Sequence, residues 1–292
     1  MWSSADRILS EGAHRAPSSR GPATDPTDTL AVMDAVTPSD GWGVLHLCYR
    51  VDRARAEREP ESAKRVVDAV SSLEADGHQA LVFAVLGHKA DLGVMALGPD
   101  LARLHAFQHE LLAAPLEATF SYVSLTERSE YTSTIDDERV RIEHEEGITD
   151  PAEVETRLAA WRERMEHYLE QRLHPRLPRK AVLSFYPMSK RRAGDANWYA
   201  LDLDVRKELM VGHARVGRRY AGRVLQLITG STGLDDWEWG VTLLADDPAV
   251  LKEIVYEMRF DEVSARYAEF GPFLTGLVLS PDEALHRVGL AP

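Results

Sequence analysis

The chain has 292 residues, with 47 acidic and 34 basic side chains and a formal net charge of −13. That length supports one large or two medium domains with sizeable cores, and the acidic balance excludes a general binder of nucleic acid or anionic membranes, which needs a basic surface. Cys48 is the single cysteine, which excludes a disulfide framework and a zinc ribbon and suits a reducing cytoplasm; no apolar run approaches the roughly 20 residues that span a bilayer.

Residues 1–40 are rich in Ser, Pro, Ala, Asp and Thr without a sustained period. They are expected to form a disordered or loosely attached extension, and they lack the compact apolar segment of a secretory signal. A first unit is expected over 41–131. Strands are expected at Trp42–Val51, His78–Leu86, Leu92–Leu97 and Thr119–Leu125, with helices at Pro60–Ala75 and Pro99–Leu112. The order β-α-β-β-α-β is ferredoxin-like. Residues 126–149 are polar and acidic and read as a solvated linker. A helix follows, with Asp150 at the N-cap, Pro151 at the first position and Glu153 as the capping-box return, running to about Leu173. Linker and helix together fill 132–179.

The second half, 180–292, repeats the first. Strands are expected at Ala181–Met188, Val224–Thr229, Trp237–Leu244 and Phe273–Leu279, with helices at Asp202–Tyr220 and Pro248–Asp261. A repeated unit of this kind implies an α+β fold of tandem ferredoxin-like units facing each other, a dimeric α+β barrel, with the two sheets around a shared cavity.

The run Ser184 to Arg192 (SFYPMSKRR) starts as a strand. If the extended conformation persists past Pro187, Tyr186, Met188 and Lys190 share one face: a redox-capable phenol, a thioether and a cation in a row. The simpler alternative is an edge strand that Pro187 ends, dissolving into a basic loop. His213 lies on the apolar side of its helix near Gly217. It is read either as a buried histidine bonded to a carbonyl or carboxylate, or as an imidazole ligand to a metal whose other ligands come from outside the protein, as in a porphyrin. Gln226 sits mid-strand beside Val224 and Ile228. It is expected to be a buried amide, either satisfied by the backbone or a neighbouring side chain or aimed into a cavity that holds a polar ligand. Arg172 closes a helix, where a cation complements the dipole or awaits a ligand carboxylate. Ser264 is a turn or N-cap serine, or a donor to a carboxylate.

Phe185 to Arg192 resembles the coproheme decarboxylases of the chlorite dismutase superfamily. Trp198-Tyr199, Leu209-Met210 with His213, Gly217-Arg218, Ala221 to Asp236 and Arg259 to Phe273 add to the resemblance, which is dense from about Arg172 to Gly276. It implies two facing ferredoxin-like units that enclose an iron porphyrin, assembled as a homopentamer. The implied substrate, Fe-coproporphyrin III (coproheme), is also the redox centre. Hydrogen peroxide oxidises the iron, a tyrosyl radical removes hydrogen from a propionate, and loss of carbon dioxide leaves a vinyl group. Two such events give haem b. Carried onto this chain, Tyr186 would form the radical and His213 would be the axial ligand. Arg172 and Ser264 would bind propionates. Pro187, Met188, Ser189 and Lys190 would line the pocket, with Lys190 pairing a carboxylate, and Gln226 would take the distal position. Chlorite dismutases place an arginine there, so chlorite chemistry is the weaker implication. A haem-binding carrier or sensor is the alternative outside enzymology.

Overall fold

The structure, a computed structural model, describes residues 34–290. Of the expected extension, residues 1–33 lie outside the described residues. Its described end is tied down: the Val36 N–H donates to Asp100 Oδ1 at 2.9 Å, and Asp40 pairs with Arg128 at 2.7 Å.

The first unit comprises β1 (Gly43–Val51), α1 (Arg53–Arg58), α2 (Lys64–Ala75), β2 (Gln79–Val85), β3 (Leu92–Gly98), α3 (Leu101–Leu112) and β4 (Leu116–Thr126). Helices α4 (Ile135–Val140) and α5 (Pro151–Leu173) follow. The second unit comprises β5 (Val182–Lys190), α6 (Leu203–Arg218), β6 (Leu225–Gly230), β7 (Trp239–Ala245), α7 (Pro248–Met258), α8 (Glu262–Tyr267), β8 (Ala268–Phe270), β9 (Leu274–Leu279) and α9 (Pro281–Arg287).

Within the first unit the strands lie in the order β4-β1-β3-β2, and within the second in the order β6-β7-β5-β9. Two seams join them, β4 to β6 through Leu125–Gly230 and Thr126–Thr229, and β2 to β9 from Val82–Leu279 to Val85–Gly276. Eight antiparallel strands therefore close into a ring, with β8 added beside β5. Closure removes most of the open edge that a sheet this size would otherwise present.

Strand alternation sends one set of side chains inward and the other outward. Inward go Cys48, Leu81, Phe83 and Met95 of the first unit and Leu183, Phe185, Leu227 and Leu244 of the second. The buried His46 ring stacks on Phe185 at 3.8 Å, and burial pushes it down to about 3, so it sits there neutral. The space between the facing sheets is thus filled by side chains, which corrects the expectation of a shared cavity. Outward, α2 and α3 seal the first unit with Val66, Val70, Leu73, Leu104, Phe107 and Leu111. Over the second unit α7 does the same with Leu251 and Ile254. Helix α6 does not: none of its residues is fully buried, and it packs chiefly against α7 and α8.

The acidic stretch 126–149 is folded, not a solvated linker. Thr134 and Asp137 form a capping box at the start of α4, and a π-helical turn (Arg141–Glu145) carries the chain on. Ile142 packs on Val154 and Leu158 of α5. The carboxylates that suggested solvation are paired: Arg141 bonds Glu138 and Glu146, both at 2.7 Å, and Arg157 reaches Glu146 and Glu153. Asp150 caps α5 through Ala152 N–H, while Glu153 pairs with Arg157 and makes no return bond.

Candidate functional site

The candidate site lies between α6 and the outer face of β5, β6 and β7. Strand β5 continues through Pro187 to Lys190, so the alternation is unbroken. The Pro187 carbonyl accepts from Gly271 N–H at 2.8 Å, where the neighbour of β5 changes from β9 to β8. A residue's N–H and C=O point to the same side of an extended strand, so the missing donor falls at this change of partner and interrupts no ladder. Tyr186 and Met188 belong to the outward cluster with Val241, Leu243 and Met258. Lys190 follows on the same side and lies under Trp198, which packs with Leu209 and Met210 of α6. Pro187 and Ser189 alternate to the other side. Pro187 lies against Gly271, and Ser189 Oγ accepts from Glu238 N–H at 3.2 Å. Of the expected lining residues, these two turn their side chains away from the site and offer it backbone only.

Tyr186 is 8% exposed. Its ring stacks on Phe273 at 4.4 Å and meets Phe270 edge-on at 5.7 Å, and its hydroxyl has no hydrogen-bond partner among the described residues. Burial pushes the phenol up to about 12, partly opposed by the Arg259 guanidinium. The phenol therefore stays protonated at neutral pH, with its ring held among aromatic side chains.

His213 projects from α6 to α8. Its Nδ1 lies 2.7 Å from Asp261 Oδ2, and Asp261 also caps α8 by accepting from Ser264 N–H at 3.3 Å. The cap fixes the carboxylate, and the carboxylate holds the imidazole with Nδ1 as donor. Nε2 is then left as the lone-pair nitrogen, the arrangement that prepares a histidine to bind a metal. Ser264 is the third residue of α8, not its N-cap, and its hydroxyl has no partner among the described residues.

Gln226 is exposed, although Val224, just before β6, and Ile228 on the same face are packed. The expectation of a buried amide is corrected. Because α6 stands off the sheet, a side chain mid-strand reaches solvent. Gln226 Nε2 donates to the Gly217 carbonyl at 3.3 Å, one helical turn beyond His213. A Cβ at Gly217 would lie 3.3 Å from both Gln226 Nε2 and Met258 Cε, so the glycine leaves room for the amide beside α6.

Arg172, in the last turn of α5, donates Nε–H to the Glu127 carbonyl at 2.7 Å. Its terminal nitrogens make no bond among the described residues. Glu127 accepts from Trp239 Nε1 at 3.3 Å, and Trp239 lies opposite Met188 in the β5–β7 register, which places Arg172 at the rim of the same face. Lys190 is 8% exposed, with Nζ 4.5 Å above the Trp198 ring. Burial pushes its ammonium down to about 8, against the carboxylates of Asp261 and Glu238. Glu238 itself accepts from Lys190 N–H at 2.7 Å and from Arg192 at 2.5 Å, which fixes the end of β5.

Sequence reasoning missed Asp261, Trp198 and the Phe270–Phe273 pair as parts of the site. Asp261, Phe270 and Phe273 lie in the run Arg259 to Phe273, but only the fold shows what each one touches. The assembled face offers an apolar gap with a metal-ready imidazole, a buried phenol, an exposed amide and cationic donors, the Arg172 terminal nitrogens and Lys190 Nζ, that make no hydrogen bond among the described residues. Such a set suits a flat apolar ligand that carries a metal and several carboxylates.

A family model described as chlorite dismutase matches residues 58–279. The chain is 40% identical over 256 residues to a coproheme decarboxylase from Staphylococcus saprophyticus, covering 83% of this chain and 94% of that one. Among solved structures, a protein from Thermus thermophilus described as a novel heme-binding protein superposes with a TM-score of 0.69 at 38% identity, covering 88% of this chain and 98% of that one. A chlorite dismutase variant from Candidatus Nitrospira defluvii superposes with a TM-score of 0.62 at 18% identity, covering 86% and 96%, a likeness that speaks to the fold alone.

Proposed function

This chain belongs to the chlorite dismutase family, and on that ground we propose that it is a coproheme decarboxylase, converting two propionates of Fe-coproporphyrin III to vinyl groups to give haem b. The observation that carries the reading is the 40% identity to a coproheme decarboxylase across 94% of that protein. The site supports it with Tyr186, His213 and Gln226 on the two walls of one gap. An amide in place of an arginine at Gln226 favours this reading over chlorite chemistry.

Iron porphyrin, the substrate, would supply the centre at which peroxide is reduced. His213 would hold the iron through Nε2, with Asp261 keeping the tautomer and the orientation of the ring. Arg172, Ser264 and Lys190 would take propionate carboxylates and set the ring's orientation. Tyr186 would give up its phenolic hydrogen as a proton and an electron, then recover a hydrogen atom from the propionate methylene next to the ring. The propionate loses two electrons and a proton as the carbon–carbon bond to its carboxylate breaks, leaving vinyl and carbon dioxide. One hydrogen peroxide accepts the two electrons with two protons and leaves as water, so each propionate consumes one peroxide. Met188, Phe270 and Phe273 would keep bulk water from the radical. We place the enzyme in the cytoplasm as a homopentamer. Among the described residues no helix is long and apolar enough to cross a membrane.

Purified protein, ferric coproporphyrin III and hydrogen peroxide should yield haem b by mass spectrometry. A porphyrin that binds tightly and keeps all its carboxylates would instead make the chain a haem carrier or sensor. Rapid oxygen release from chlorite would favour dismutation.

A further inference from the structure

We propose that His105 and His109, on the outward side of α3, form a two-histidine site for a borderline divalent transition-metal ion of the Zn2+ type. Helix α3 buries Leu104, Phe107 and Leu111 against the first unit's sheet, which turns both histidines to solvent one helical turn apart. Their rings meet edge-on at 4.7 Å between centroids, with the two Nε2 atoms 3.2 Å apart. With zinc–nitrogen bonds of about 2.0–2.1 Å, nitrogens at that separation subtend roughly 103° at a shared ion, close to the tetrahedral angle. The same 3.2 Å also suits a hydrogen bond from one imidazole to the other. The ion would replace the proton shared between them, and both rings would then carry their proton on Nδ1. No third histidine, cysteine or carboxylate joins the pair among the described residues, so water fills the remaining positions and the ion is exchangeable. The pair lies on the first unit, apart from the face that carries Tyr186 and His213, and the inference does not depend on the proposed decarboxylation.

The test is calorimetric titration of the full chain with Zn2+, comparing wild type with His105→Ala, His109→Ala, the double variant and a His167→Ala control. Alanine on an exposed helical position favours the helix, so loss of folding is not expected. One zinc equivalent should weaken by at least about tenfold in each single variant, because a chelate becomes a single ligand, and the control should match wild type. Electron paramagnetic resonance with Cu2+ should show coupling to two nitrogens in wild type and lose it in the double variant. Zinc uptake that is the same in wild type and the double variant overturns the proposal, as does a copper spectrum that does not change between them.

Discussion

At the scale of single residues, the site depends on groups whose state is set by burial. Lys190 is the clearest case. Its ammonium is pushed from an ordinary value of 10.5 down to about 8, because the side chain lies between Trp198 and the end of β5. Between those two values the unfolded chain keeps a proton that the folded chain has released. Raising the pH through that window therefore stabilises the fold. The shift is worth up to roughly 3 kcal/mol. Lys190→Met removes the dependence, so its stability advantage over wild type in urea unfolding should shrink by up to about that amount between about pH 7 and about pH 10. A difference that stays constant with pH would show that the ammonium is not held in dry surroundings. Much of the residue-level reading is legible in the sequence. Spacing leaves Tyr186, His213 and Gln226 each with a simpler reading beside the functional one, and their roles come from the resemblance; the exposure of Gln226 is not legible at all, because it depends on where α6 sits. Asp261 is legible only as one acidic residue in a run, since its bond to His213 spans 48 positions.

At the scale of elements, α6 is the unusual part. Helices α2, α3 and α7 press apolar residues into the sheet, whereas α6 buries none fully and is carried by its neighbours. Arg219 and Tyr220, just past its end, bond Glu257 of α7. Arg206 and Lys207 lie 3.8 Å from Glu130 and 3.9 Å from Asp137, in the segment around α4. This arrangement leaves the gap over β5 and β6. Gly217→Leu should fill it, displacing Gln226 and the end of Met258. Leucine in place of a helical glycine gains helix propensity that offsets the tighter contact with Gln226 and Met258, so thermal unfolding should change little while affinity for coproheme falls at least about tenfold, as expected when a side chain occupies a ligand's space. Unchanged affinity would move the binding face elsewhere. The sequence pattern predicts α6 and its apolar side but not its distance from the sheet, which depends on contacts with α7, α8 and the folded acidic segment. That segment misleads because composition counts carboxylates without their partners, and Arg141 and Arg157 supply those partners. Pro187 shows the opposite outcome. Extension through it is one of two readings of the sequence, and the change of partner from β9 to β8 explains why the strand tolerates it.

At the scale of the whole molecule, the repeat is readable from the order of elements, and the closed ring of eight strands is what that repeat builds. The place of the site is not readable in the same way. Facing sheets suggest a cavity between them, yet alternation sends Leu183 and Phe185 into that space and Tyr186, Met188 and Lys190 out of it. The two units therefore divide the work: the first is sealed by its helices, and the second keeps one helix raised. Two of coproheme's four carboxylates are proposed to leave through Tyr186 at the outward face of β5, beneath α6. The most direct measurement is the mass of the porphyrin recovered after peroxide is added to wild type and to Tyr186→Phe, each first shown by its absorption spectrum to have bound coproheme. Wild type should give haem b and Tyr186→Phe should return coproheme with all four carboxylates, whereas haem b from the variant at the wild-type rate would contradict the account.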